Sequence, residues 1–326
     1  MAAQPSVRIV ILNYNTRDLL VECLQSLQED PGSSDWHIVV VDNASSDGSA
    51  QQVRESFPSV SLVESERNLG FSAGNNLGTR GGEESYLLFL NSDTRVPAGT
   101  VQALVAFLER TPEAAAVGPR LLSPDGSLQW SCRSFPGPVN TVLEGFWLDR
   151  LFPSSRFLGR PRMTWLDHTQ TVAVDYVQGA ALLVRREAFE AVGGWPEAYF
   201  FYAEDADLCH SLKRRCGPVY YYGAVTITHV GGASAAKASE QTTLQAHRSV
   251  LLFALRTGGA LRLFLQRLAT VKVTLPRLLV ASLAALLAPG SAKRDHLRRQ
   301  RRLYARVLKI ALSPLPTAEQ ANPPAF

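Results

Sequence analysis

Apolar residues in the first third of the chain come in short blocks, and each block stops at a polar cluster. Val7 to Leu12 runs into Asn13, Tyr14 and Asn15, and the strand-like stretch from His37 to Val41 ends at Asp42. Tyr86 to Leu90 ends at Asn91, Ser92 and Asp93. Blocks this short, bounded by turn residues, read as buried strands. Between them the period changes to 3.6, with Leu19, Leu20, Cys23, Leu24 and Leu27 on one face and Val101, Leu104, Val105 and Leu108 on another. Strands are expected at 7–12, 37–41, 60–63, 86–90 and 114–118. Helices are expected after Asn15 or Thr16 as cap, at 49–57, up to about 79, and at 98–110. Such alternation predicts a doubly wound, mostly parallel α/β sheet. Right-handed crossovers would gather the three polar strand ends on one edge, where such sheets bind ligands.

From 123 to 170 five prolines and three tryptophans break every period, which reads as a long excursion over the cleft, covering an acceptor site, or else as a plain structural insertion. Strand character returns at 172–177 and 181–184, and a short helix over 186–192 ends at Gly193 and Gly194. Phe200, Phe201 and Tyr202 then lead into Glu204, Asp205 and Asp207 at the start of a helix over 205–215. Acids there complement the helix dipole, and Asp207 reads that way. Glu204 and Asp205 follow the aromatic run, at the edge of an apolar pocket where a carboxylate's pKa rises. Asp93 reads either as a turn residue or as a ligand for a hard divalent cation on a diphosphate. His229, before Gly231 and Gly232, reads as structural or as a neighbour of phosphate.

Charge adds a second region. Over residues 248–309 there are 14 Lys or Arg against Asp295 alone, a net +13, while the rest carries 19 basic against 28 acidic residues, a net −9. That asymmetry points to a polyanionic partner. Leucines interleave with the basic residues from Leu261 to Leu287, and the longest charge-free run, 278–292, has 15 residues. A bilayer span takes about 20. Helices lying on an anionic membrane surface are therefore expected, and nucleic acid is not, because no reading module is present. Cysteines 23, 132, 209 and 216 lack paired spacing, which reads as reduced thiols in a cytoplasmic chain without a metal cage. No signal peptide is expected at Met1 to Ser6.

Taken together, Ile11-Leu12-Asn13-Tyr14-Asn15, Val41-Asp42-Asn43-Ala44-Ser45-Ser46-Asp47-Gly48-Ser49, Asn68-Leu69-Gly70-Phe71-Ser72-Ala73-Gly74-Asn75, Leu90-Asn91-Ser92-Asp93, Gly179-Ala180, Gly194-Trp195, Glu204-Asp205-Ala206-Asp207-Leu208 and His229-Val230-Gly231-Gly232 resemble the inverting family 2 glycosyltransferases of GT-A fold, and within them the bacterial rhamnosyltransferase-like group. The resemblance covers about residues 6–235. It implies that Asn13, Tyr14, Asn15 and Asp42 hold the base of a nucleotide-sugar, with Asn68, Gly70 and Asn75 along the ribose and diphosphate. Asn91, Ser92, Gly179 and Ala180 would complete the donor site. Asp93 matches the last acid of the family's Asp-x-Asp metal motif, and Asn91 replaces the first, which removes one negative charge. Asp93, with His229, would hold Mg²⁺ or Mn²⁺; Asp205, with Glu204 beside it, would be the catalytic base.

The expected organisation is a catalytic domain over 1–235 and a basic helical region over 236–326. The expected function is inverting transfer of a sugar, rhamnose from dTDP-rhamnose or otherwise a UDP-hexose, to a glycan or polyprenyl-diphosphate-linked acceptor for cell-surface polysaccharide. The place of work would be the cytoplasmic face of the plasma membrane. The alternative is a catalytically silent binding module of the same fold, which would have no need of a base. A nucleotidyltransferase would carry a Gly-rich loop after the first strand, where Asn13-Tyr14-Asn15 stands instead.

Overall fold

Twelve strands and ten helices alternate along the chain in a computed structural model that describes residues 6–231 and 240–314. The strands are β1 (Val7–Asn13), β2 (Trp36–Asp42), β3 (Ser61–Glu64), β4 (Tyr86–Asn91), β5 (Thr94–Arg95), β6 (Ala116–Leu122), β7 (Leu128–Gln129), β8 (Cys132–Arg133), β9 (Thr171–Val174), β10 (Tyr176–Val177), β11 (Ala181–Arg185) and β12 (Val219–His229). The helices are α1 (Arg17–Gln28), α2 (Ser49–Ser56), α3 (Gly70–Thr79), α4 (Thr100–Arg110), α5 (Pro138–Gly145), α6 (Leu148–Leu151), α7 (Arg186–Ala191), α8 (Glu204–Arg215), α9 (Glu240–Leu287) and α10 (Ser291–Leu312). They fall into two compact units: described residues 6–134 and 166–231 form the first, and 135–165 with 240–314 form the second.

In the first unit the main sheet runs β3-β2-β1-β4-β11-β6-β12-β5. β3, β2, β1 and β4 are parallel neighbours, β11 is antiparallel to both β4 and β6, and β12 is parallel to β6. The mostly parallel α/β sheet expected from the alternation is present, with β11 as the reversed strand inside it. The order reverses between β1 and β4, so the ends of these two strands flank a topological switch point, the usual binding crevice of such sheets. α1 and α4 cover one face, where Leu20, Leu24, Leu104 and Leu108 pack on Ile9, Ile11 and Leu88. On the other face Phe89 meets the rings of Phe189 and Trp195.

α3 lies unusually close to the sheet, and its glycines explain why. A methyl at Gly74 would stand 2.4 Å from Leu12 Cδ1, and one at Gly78 would stand 2.4 Å from Val10 Cγ1 and 3.0 Å from Val41 Cγ2. That four-residue glycine stripe brings the loop before α3 up to the sheet edge.

In the second unit α5 packs along α9, and α10 returns along α9. Gln266 Nε2 donates to Thr141 Oγ1 at 2.7 Å, Arg262 Nη2 donates to the Pro136 carbonyl at 2.9 Å, and Val273 crowds Gly145. Residues 135–165 therefore cluster with the C-terminal helices, whereas the sequence suggested a catalytic domain continuous over 1–235. Prolines hid the helical face that makes those contacts. Among the described residues α9 alone is long and apolar enough, by length and composition, to cross a membrane, which the count of charge-free residues did not suggest. Gly259 kinks it with left-handed φ, and Pro276 lies within its second half.

Candidate active site

The residues expected at the three strand ends converge at the switch point. At the end of β1, Asn13 Nδ2 donates to Asp42 Oδ1 at 3.0 Å and to Ser45 Oγ at 3.1 Å, while Asp42 Oδ2 accepts from the Ser45 amide at 2.9 Å. Asn15, held at positive φ, accepts the Ser46 amide on Oδ1 at 2.7 Å, and its own amide donates to Ser45 Oγ at 3.0 Å. The carboxylate of Asp42 is thus aimed by the loop that follows it. Tyr14 stands half-buried on the loop between β1 and α1. Thr16 occupies the N-cap of α1, but its hydroxyl does not cap the helix. It donates to Asn13 Oδ1 at 2.7 Å and lies 2.7 Å from Ser92 Oγ, so it ties the β1 end to the β4 end.

Asn68 and Gly70 sit where α3 begins. Asn68 Oδ1 accepts from the Gly70 amide and from Asn43 Nδ2, each at 2.9 Å, and Asn43 Oδ1 accepts the Leu69 amide at 2.8 Å. Gly70 has φ +79°, and a methyl there would stand 2.6 Å from the Phe200 carbonyl oxygen, so glycine is required. Asn75, expected along the diphosphate, is buried and donates to the Phe71 carbonyl at 3.0 Å. Its neighbour Asn76 makes the long-range tie, accepting the Trp195 amide and donating to the Trp195 carbonyl, both at 2.9 Å.

At the β4 end, Asp93 Oδ1 lies 3.2 Å from His229 Nε2, and Asn91 Nδ2 lies 3.2 Å from the same nitrogen. Asp93 Oδ2 accepts the Gly231 amide at 3.0 Å. Gln129 decides the histidine's tautomer: its Nε2 donates to the His229 carbonyl at 2.7 Å, which turns Oε1 toward His229 Nδ1 at 2.8 Å. Nδ1 must then carry a proton, and Nε2 of the neutral ring presents a lone pair beside the carboxylate. Two acceptors so placed suit a cation. Adjacent ligands of an octahedral ion, at about 2.1 Å each, stand about 3 Å apart, so this pair fits two positions of a Mg²⁺ or Mn²⁺ shell and leaves the others to phosphate oxygens and water. Among the described residues no group of three or more His, Cys, Asp or Glu is arranged to hold a metal ion. Asn91, where the metal motif has an acid, donates an amide hydrogen that a carboxylate lacks. Gly232 lies outside the described residues.

The second carboxylate centre sits at the start of α8, after Tyr202 and Ala203 at φ 72° and 63°. Neither residue is glycine, and consecutive left-handed conformations there store strain of the kind found at functional sites. Asp205 is half-buried; its Oδ1 accepts the Ala206 amide at 2.8 Å and its Oδ2 the Gly179 amide at 3.3 Å. Burial raises its pKa, and those two amides and the Arg133 guanidinium oppose the rise. Glu204 is 5% exposed, with Oε2 lacking a hydrogen-bond partner, and burial followed by the Asp205 charge raises its pKa well above the usual range. The neighbouring acids therefore differ: Asp205 is supported as an anion, and Glu204 is driven toward its neutral form. Gly179 stands with its α-carbon against Phe71 and Trp195, and the buried Ala180 accepts the Asn91 amide on its carbonyl at 3.0 Å, joining the start of β11 to the end of β4.

Gln129, Arg133 and Ser45 were missed as site residues. Gln129 is 100 residues from His229 in sequence. Arg133 lies on a two-residue strand in the proline-rich stretch. Ser45 stood inside a quoted motif but read as a turn residue.

Comparison with known proteins bears on the family and the fold. A family model described as "Glycosyl transferase family 2" matches residues 8–193. The N-acetylglucosaminyl-diphospho-decaprenol L-rhamnosyltransferase of Mycobacterium tuberculosis is 30% identical over 263 residues, covering 75% of this chain and 82% of that protein. Rhamnosyltransferase WbbL of Escherichia coli is 25% identical over 231 residues, covering 68% and 83%. The solved mannosyltransferase PcManGT from Pyrobaculum calidifontis, in complex with GDP-Man and Mn²⁺, aligns with a TM-score of 0.58 at 19% identity over 95% of this chain and 87% of its own.

Proposed function

Because the chain belongs to glycosyl transferase family 2 and its first unit has the GT-A fold, we propose that it transfers a sugar from a nucleotide donor with inversion at the anomeric carbon. The donor we favour is dTDP-rhamnose, with a UDP-hexose as the other choice. The acceptor we favour is an N-acetylglucosaminyl-diphospho-polyprenol, on the strength of the mycobacterial relative's name. The observation that carries the reading is the convergence of Asp93 Oδ1 and His229 Nε2 at the switch point, a place for the diphosphate, with Asp42 at one side of it and Asp205 on α8.

In this mechanism Asp42 and the Asn13–Asn15 loop hold the base, and the Asn68–Gly70 turn lies along the ribose and diphosphate. The acceptor hydroxyl gives its proton to Asp205 as its oxygen bonds to the anomeric carbon, and the bond from that carbon to the diphosphate oxygen breaks on the opposite face. Desolvation raises Asp205's basicity, while the Gly179 and Ala206 amides and Arg133 favour its ionised form. Asp93 and His229 would hold Mg²⁺ or Mn²⁺, which when bound neutralises charge growing on the leaving diphosphate. A lipid-linked acceptor also suits a peripheral position on the cytoplasmic leaflet, to which the +13 stretch would be drawn.

The test is a donor panel with a synthetic N-acetylglucosaminyl-diphospho-polyprenol, read by nucleoside diphosphate release and by product. Release from dTDP-rhamnose that depends on acceptor is the expected result. Tight donor binding without release from any donor would favour the silent module instead.

A further inference from the structure

In the second unit the usual arrangement of a water-soluble helix is inverted over the later half of α9. Leu244, Leu251 and Phe253 are buried in its first half, but beyond Gly259 the side turned into the unit carries, besides Val273, small and polar residues, among them Gln266, Ala269, Thr270, Thr274 and Ala281. Its outward side carries Leu261, Phe264, Leu268, Leu275, Leu279 and Leu283, and the end of the helix leaves Leu286 78% and Leu287 83% exposed. Of its most apolar 18 residues only 28% are buried. Of the basic residues that interrupt this stretch in sequence, Lys272 is exposed on the outward side, where its long stem can carry the ammonium to the edge. The arginines are drawn off it: Arg262 Nη2 donates to Pro136 O, Arg267 Nη2 to Ser313 O at 2.8 Å, and Arg277 Nη2 to Gly145 O. Small residues inward and leucines outward is the packing of a helix whose outer solvent is hydrocarbon.

A second apolar surface joins it. Directly after α5, Trp147, Leu151, Phe152 and Phe157 are each more than half exposed. Trp147 is fixed beside the last quarter of α9, with the Arg277 guanidinium 4.8 Å from its ring centre. The exposed charges around this knob, Arg150, Arg156 and Arg160, are all basic, and its one acid, Asp149, is buried in an ion pair with Arg162 at 2.6 Å. α10 adds exposed Arg298, Arg299, Arg301 and Arg302. Among the described residues, only Arg298 of these has an acid beside it, Asp295 at 3.4 Å. An apolar face of this size, bordered by an excess of cations and carrying an exposed tryptophan, fits one partner chemistry.

We propose that the 146–157 knob and the leucine face of α9 form a single membrane seat that inserts into the acyl region of an anionic phospholipid leaflet, with the surrounding arginines on its headgroups. This deepens and rests on the membrane part of the proposed function. It moves the anchor from the basic C-terminal stretch alone to a surface built jointly with a segment more than 100 residues earlier.

The test uses the full chain with vesicles of phosphatidylglycerol and phosphatidylcholine, and of phosphatidylcholine alone, without donor or acceptor, so that a failed donor screen does not bear on it. The Trp147 signal is taken as the emission difference between the wild type and Trp147→Phe. We expect this signal to be quenched by lipids brominated on the acyl chain. Leu279→Glu with Leu283→Glu, and separately Phe152→Ser with Phe157→Ser, should each lower the bound fraction by about ten-fold. Phosphatidylcholine alone should bind more weakly than the anionic mixture. An unquenched Trp147, or both double variants binding as well as the wild type, overturns the proposal. So does a wild-type dimer that ignores vesicles and becomes monomeric in the Leu279→Glu, Leu283→Glu variant, since a second copy then covers the face.

Discussion

Asp205 is held between opposing influences, and that balance makes it testable. Its carboxylate is raised by burial and supported as an anion by Gly179, Ala206 and Arg133. Asp205→Asn keeps the shape and removes the proton acceptor, so we expect turnover to fall about 10²-fold or more with donor affinity nearly unchanged, measured by single-turnover assay and calorimetry. Retention of more than about a tenth of turnover would move the role to Glu204. Activity should fall as pH drops through the raised pKa of Asp205. Arg133→Gln removes a group that favours the anion, so the acid limb of kcat/KM should move to higher pH while the neutral plateau holds. A limb that stays in place would mean that Arg133 does not act on Asp205. Gln129 acts at one remove, by fixing a proton on His229 Nδ1. Gln129→Leu should weaken the apparent affinity for Mn²⁺ about 10- to 100-fold, with activity recovering at saturating metal.

At the scale of elements, α3 shows residues whose identity only packing explains. Gly74 and Gly78 are small because the helix lies against Leu12, Val10 and Val41. Gly78→Ala gains about 1 kcal/mol in helix propensity. It must also push aside two β-branched side chains in the sheet, at a cost of about 1–3 kcal/mol. We therefore expect a net loss of stability, read as a lower urea midpoint, together with weaker donor binding as the Asn68–Gly70 turn shifts. An unchanged midpoint would mean that the sheet yields without cost. α9 teaches the complementary lesson. Its leucine periodicity was legible, but which side faced inward was not, because Arg262, Arg267 and Arg277 find partners that sequence does not reveal.

Across the molecule, the first unit is tied at the edge opposite the site by a partly buried charge cluster. Arg8 Nε donates to Glu84 Oε2 at 2.9 Å, Arg186 Nη2 to the same oxygen at 3.0 Å, and His37 Nδ1 lies 2.8 Å from Glu84 Oε1. Burial opposes ionisation of Glu84, but Arg8, its own backbone amide and His37 outweigh it and bring its pKa down to about 2. A depressed acid stabilises the fold above its unfolded value of about 4.3 and loses that contribution as pH falls toward 2. With solvent screening we expect about 1–2 kcal/mol to disappear between roughly pH 5 and pH 2, and Glu84→Gln to flatten that part of the stability curve. Denaturant melts at stepped pH would check this, and parallel curves for the two proteins would rule it out. In the second unit, a cut near Ala246 would remove α9 from beneath α5, so surface substitutions test membrane binding more cleanly than truncation.

Local pattern alone determined much of this protein: the strand and helix sequence, the gathering of Asn13, Asp42 and Asp93 on one edge, and the acids at the start of α8. Those features follow from period, from turn chemistry and from the handedness of crossovers, all of which act over a few residues or through a general rule. Tertiary structure decided the rest. It set Gln129 against His229, placed Arg133 where it acts on Asp205, buried Asn75 in α3, and joined residues 135–165 to the C-terminal helices. Each of these depends on partners distant in sequence, where no periodicity in one segment specifies what the other will offer.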